Sequence, residues 1–180
     1  TYISAAEIPS TKANSLQVMK VCQALTQNGH EVSLFAPGSE NSDMQQVKHY
    51  YGITEDFTIT RIPSIRFLRM LDYSLRAVLL ARRSAVDLVY TRVLWVARLA
   101  QMWNFPVIFE LHEIPAGKIA PGVFRRFLYT AKGSQIVFIT QALLSQTQSR
   151  FGKFPRGVKS LVAPDGVDLE PGLLGLHRGH

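Results

Sequence analysis

Apolar residues recur along this chain in two alternating rhythms. Short runs rich in β-branched and aromatic residues occur at 31–36 (EVSLFA), 57–62, 87–91 (DLVYT), 107–111 (VIFEL), 135–139 (QIVFI) and 159–163 (KSLVA), and residues 1–4 read as the end of another strand. Between them the apolar positions fall at helical spacing. Val18, Val21, Cys22 and Leu25 stand at i, i+3, i+4 and i+7, one stripe of a helix that starts near Asn14 and stops at Asn28-Gly29. Asn14 can cap that helix, with Gln17 as its capping-box partner. Further helices are expected over 66–83, 93–103, 121–132 and 140–151. In the 66–83 helix Phe67, Leu68, Leu71, Leu75, Val78 and Leu79 are expected to point inward. Residues 93–103 are apolar nearly all round, which predicts burial on more than one side. The polar stretch 39–56 reads as loop with one helical turn.

Strands separated by helices of this length imply βαβ units and a parallel sheet. Continuously apolar strands such as VIFEL imply helices on both faces. The expected fold class is therefore α/β, a doubly wound, mostly parallel, Rossmann-like sheet. It occupies residues 1–164, and 165–180 read as the start of a linker with a loose tail.

Composition narrows the picture a little. The 180 residues are 47% hydrophobic and 18% charged, enough apolar material for one packed domain. The single cysteine, Cys22, rules out an intrachain disulfide and a cysteine-rich metal site and fits a reducing, cytoplasmic setting. The first residues carry neither a basic nor an apolar leader segment, and no apolar run reaches the roughly 18 residues that span a bilayer. The net charge of +7 points to an anionic neighbour. No nucleic-acid motif accompanies it, so nucleic acid is not expected. Arg69, Arg76 and Arg83 recur every seven residues, on one side of an amphipathic helix. They form either a solvated face or a contact with anionic lipid headgroups on the inner face of a membrane.

Ligands of open parallel sheets bind beyond the carboxyl ends of the strands. The segments that reach this rim are the loop after the first strand, Thr91-Arg92, His112-Glu113, Thr140 and Asp165-Gly166. The first loop, residues 5–13, has no glycine, which argues against a dinucleotide site. Asn14 and Ser15 either cap the helix or bind a hydroxyl or anion at its start. His112 follows its strand directly, flanked by Glu110 and Glu113. Such a histidine can orient or polarise a substrate hydroxyl, or can be a surface histidine. No second His or Cys stands at metal-ligand spacing.

Five segments together resemble one family. They are IPSTKANSLQVMKVCQALTQNGHEVSLFAP at 8–37, DLVYTR at 87–92, PVIFELHEIP at 106–115, IVFIT at 136–140 and VAPDGVDLE at 162–170. The resemblance is to the amino-terminal domain of the retaining GT-B glycosyltransferases of family 4. It implies two Rossmann-like domains facing a cleft, with acceptor binding mainly in the first and nucleotide-sugar binding mainly in the second. It also implies hexose transfer to an acceptor hydroxyl, saccharide or lipid-linked, with retention and with neither metal nor other cofactor. His112 matches the family histidine near the transferred sugar. Asn14, Ser15, Arg92, Glu113, Thr140, Asp165 and Gly166 match cleft, rim or linker positions. The E-x7-E donor motif does not occur after residue 170, which implies a chain inactive by itself. A non-catalytic domain of the same fold, docking on a membrane or partner, is the alternative.

Overall fold

The computed structural model describes residues 1–38, 43–63, 69–130 and 133–164. Seven parallel strands form one sheet: β1 (Tyr2–Ile3), β2 (Ser33–Pro37), β3 (Thr58–Ile62), β4 (Val89–Thr91), β5 (Val107–Leu111), β6 (Gln135–Phe138) and β7 (Lys159–Val162). Their order is β3-β2-β1-β4-β5-β6-β7. The helices between them are α1 (Ala13–Gln27), α2 (Met44–Tyr51), α3 (Arg69–Arg83), α4 (Leu94–Met102), α5 (Ala120–Tyr129) and α6 (Gln141–Phe151). The doubly wound α/β fold expected from the alternation is the fold observed.

Each face of the sheet has its own core. On one side α1 and α2 bury Val18, Met19, Cys22, Val47 and Tyr51 against Tyr2, Leu34 and Ala36. On the other, α3 to α6 cover Ile3, Phe35, Val89, Val107, Phe109, Leu111, Ile136 and Phe138. Aromatic rings from α5 and α6 fill this second core, with Phe124 against Phe151 at 4.9 Å and Phe109 against Phe127 at 5.4 Å between centroids. α4 packs between α3 and α5, which accounts for its apolar surround. On the α1 side of the sheet, Glu110, Val137 and Leu161 share one row through the register of β5, β6 and β7, and Leu161 is 59% exposed.

Several elements depart from the sequence reading. α1 begins at Ala13 with Lys12 as its N-cap and no side-chain cap, so Asn14 and Gln17 lie inside the helix and do not form a capping box. Residues 44–51, expected to be mostly loop, form α2. Asp43 accepts from Gln45 N at 3.0 Å to cap it, Val47 and Tyr51 bury one side, and Gly52 closes it in the left-handed conformation.

In α3 the expected inward leucines are reversed. Leu71, Leu75 and Leu79 are 48%, 43% and 37% exposed, while Tyr73, Ser74, Ala77, Val78 and Ala81 are buried. Val78 alone of the described positions points inward as expected; Phe67 and Leu68 lie outside the described residues. The reason is spacing. Small residues at 74, 77 and 81 let α3 sit close on α4 and the sheet, and the Tyr73 hydroxyl bonds the carbonyls of Ser4, just past β1, and Phe35, within β2.

Candidate functional site

β1 lies between β2 and β4; the chain leaves β1 toward β2 in one direction and leaves β4 toward β5 in the other. Here the connections diverge, and a crevice opens at the carboxyl ends of the strands. A pocket of about 700 Å³ occupies it. Ser4 and Ala5 after β1, Asn14 and Gln17 of α1, Arg92 after β4, and Glu110 to Glu113 at the end of β5 form its polar side. Leu94 and Trp95 of α4 with Ile114, Pro115, Ala116 and Ala120 form an apolar wall.

Buried hydroxyls fix the backbone around Arg92. Thr91 Oγ1 donates to the Ile3 carbonyl at 2.7 Å and accepts from Val93 N at 3.0 Å, so the end of β4 is tied to β1 and to the start of α4. The Arg92 guanidinium then reaches across the crevice. Its Nη1 donates to Gln17 Oε1 at 2.9 Å and Asn14 Oδ1 at 3.3 Å, and its Nη2 stands 2.8 Å from Glu110 Oε1. The Nη2 contact is ionic and lies off the hydrogen-bonding direction, and Nε has no hydrogen-bond partner among the described residues.

Glu110 is the hub. It is 5% exposed, inside a strand that is otherwise apolar. Its Oε1 also meets His112 Nε2 at 2.5 Å, and its Oε2 accepts from the Tyr90 hydroxyl at 2.5 Å. Tyr90 is held in turn by stacking on Tyr2, 4.8 Å between centroids. Burial disfavours the Glu110 charge. The hydrogen bonds from His112 and Tyr90 and the charge of Arg92 outweigh burial, and they hold the carboxyl below its ordinary value. The site therefore contains a fixed carboxylate that grips one ring nitrogen of His112. When the ring is neutral and donates from Nε2, its Nδ1 is an acceptor, the arrangement that receives or orients a hydroxyl proton.

The structure gathers Asn14, Arg92, His112 and Glu113 around this one pocket. Ser15 is 1% exposed and turned away, with its hydroxyl hydrogen-bonded to the Ser10 and Lys12 carbonyls at 2.7 Å each. Thr140 is outside the pocket and caps α6 by accepting from Leu143 N at 3.1 Å. Asp165 and Gly166 lie outside the described residues, as does the Arg69 side chain. Arg76 and Arg83 are exposed on α3 and do not line this pocket. Glu110, Gln17 and Trp95 are pocket residues that the sequence reading did not select. A charged residue within the apolar run VIFEL was the available signal for Glu110.

Among the described residues no group of three or more His, Cys, Asp or Glu could hold a metal ion. No described helix is long and apolar enough to cross a membrane.

The family model described as Glycosyltransferase Family 4 matches residues 16–171. The chain belongs to that family. Solved structures of glycosyltransferases contain its Rossmann-like fold as about half of their length. A glycosyltransferase from Rickettsia africae aligns over 96% of this chain and 47% of its own, with 16% identity and a TM-score of 0.60. Anabaena HepE, solved in complex with UDP and glucose, aligns over 95% of this chain and 47% of its own, with 15% identity and a TM-score of 0.55. MurG of Acinetobacter baumannii aligns over 93% and 46%, with 15% identity and a TM-score of 0.55. The chain thus spans about half the length of these structures. No curated protein matches its sequence.

Proposed function

We propose that this chain supplies the acceptor side of a retaining hexosyltransferase. The crevice pocket holds an acceptor hydroxyl beside His112, and a second domain presents a nucleotide-sugar across the cleft. The observation that carries this reading is the buried Glu110 carboxylate bound to His112 at the strand crossover. Family membership and the fold shared with HepE, which was solved with UDP and glucose, support it. The apolar wall of Leu94, Trp95 and Ile114 opposite this polar group suits a saccharide acceptor with an apolar portion or a lipid link.

In this reading the acceptor oxygen bonds to the anomeric carbon as the bond to the nucleoside diphosphate breaks on the same face. The acceptor proton passes to the departing phosphate oxygen. His112 orients the reacting groups, and Glu110 and Arg92 act through it as positioning residues. Charge on the leaving group is met by the other domain, so this chain alone binds acceptor without turnover.

The test uses the complete protein that carries this domain, with hexose transfer from a nucleotide-sugar panel as the readout. His112→Ala is expected to lower kcat about 100-fold or more with little change in melting temperature. Unchanged kcat in a folded variant removes the role given to His112. Absence of transfer by the complete, folded protein with every donor tested favours a binding domain without catalysis.

A further inference from the structure

We propose that the outer face of α3 is a docking surface for anionic lipid. Leu71, Leu75 and Leu79 are each exposed, and a step of four residues turns a helix by about 40°, so they form one continuous slanted stripe. The face directly behind them is the one buried on the sheet, through Ala77, Val78 and Ala81. Isolated exposed leucines are common on proteins. Three in register on the solvent side of a single helix form a contiguous apolar strip that water solvates poorly.

Charge selects the occupant. Arg76 and Arg83 are exposed along one flank of the stripe, and Arg82 is exposed at its carboxyl end. Asp72 is the one acidic residue of α3, and it is bound by Arg76 Nε at 2.8 Å. The helix therefore presents leucines beside the guanidinium groups of Arg76, Arg82 and Arg83, with Asp72 the single acidic residue among them, in a protein of net charge +7. That pairing suits a surface with anionic headgroups above an acyl layer, where leucines enter and arginines remain at the phosphates. Two helices along, on the same side of the sheet, α5 exposes Arg126 and Tyr129, the latter 75% exposed. Both are residue types favoured at a membrane interface.

This surface is separate from the crevice pocket, so its test does not depend on catalysis. The 180-residue chain is sedimented with vesicles of phosphatidylglycerol mixed into phosphatidylcholine and with vesicles of phosphatidylcholine alone, across a salt series. Expected is binding to the anionic vesicles that weakens with salt and little binding to the neutral ones. Leu71→Ser/Leu75→Ser/Leu79→Ser is expected to weaken anionic binding by about tenfold or more, and Arg76→Gln/Arg83→Gln to do so separately. These side chains are exposed, so unchanged far-ultraviolet circular dichroism is expected in both variants. Equal binding to both vesicle types, or anionic binding that survives the leucine changes, overturns the proposal. Self-association of the wild type that the leucine variant abolishes, without vesicle binding, assigns the stripe to a second copy instead and also overturns it.

Discussion

Arg92 and Glu110 meet one position beyond the last cross-strand pair of β4 and β5, Thr91 with Phe109. Tyr90 pairs with Ile108 between β4 and β5, and each charged residue lies two positions further on, on the same face. Parallel pairing thus brings the two residues together, and the bend at Arg92 just past β4, tied down by Thr91, completes the 2.8 Å contact between Arg92 Nη2 and Glu110 Oε1. The ion pair is almost enclosed, with side-chain exposures of 12% and 5%. Burial of two opposite charges is tolerable when further polar partners satisfy them, and here Gln17, Asn14, His112 and Tyr90 do so in part, with Arg92 Nε left without a hydrogen-bond partner among the described residues.

Removing one partner of such a pair is expected to cost more than removing both charges. Arg92→Met leaves the Glu110 carboxylate buried without its cation and is expected to destabilise the fold by about 3–5 kcal/mol in urea unfolding. Adding Glu110→Gln to it should recover part of that loss. Additive losses in the double variant would show that the two side chains are energetically independent.

Acid should weaken the fold through the same carboxylate. The folded protein holds Glu110 below its ordinary value of 4.5, so between the two values the unfolded chain binds more protons. The stabilisation is fully present above pH 4.5 and is lost as pH falls through the lower, folded value. Glu110→Gln is expected to be less stable than the wild type at neutral pH and to show a flatter decline in acid. Parallel pH profiles for the two proteins would refute this assignment.

Cys22 should be chemically silent while the protein is folded. It is buried in α1, and burial pushes its thiol up to about 12. A thiol-specific disulfide reagent at neutral pH is expected to label it only at the rate of unfolding, and completely in denaturant. Rapid labelling of the native protein would place α1 away from the sheet.

The strand and helix alternation was legible because each element carries a strong local period, as in VIFEL and in the Val18, Val21, Cys22, Leu25 stripe. α3 was read with the wrong face inward because hydrophobicity alone ranks leucine above alanine and serine. Close helix packing reversed that ranking at positions 74, 77 and 81. α2 was hidden by its polar composition, since only Val47 and Tyr51 mark its inner side. His112 and Arg92 could be named from their places after strands. Their bond through Glu110 could not, because it depends on which strands are neighbours and in what register. Asn14 and Gln17 looked like a helix cap because their spacing suits one. The long-range partner that engages them, Arg92, is 78 positions from Asn14 in the chain.

The pocket divides its labour between two sets of residues. Its ion cluster is seated on strand ends and on the first turn of α1, pinned by Thr91 and by the Tyr2–Tyr90 stack. Its apolar wall comes from Trp95 and from residues 114–116, which none of the cluster's hydrogen bonds engage. The part of the wall formed by residues 114–116 can therefore be exchanged by loop grafting while the ion cluster keeps its geometry. If the proposed acceptor role holds, a protein engineer could diversify the acceptor bound there without rebuilding the histidine and its carboxylate.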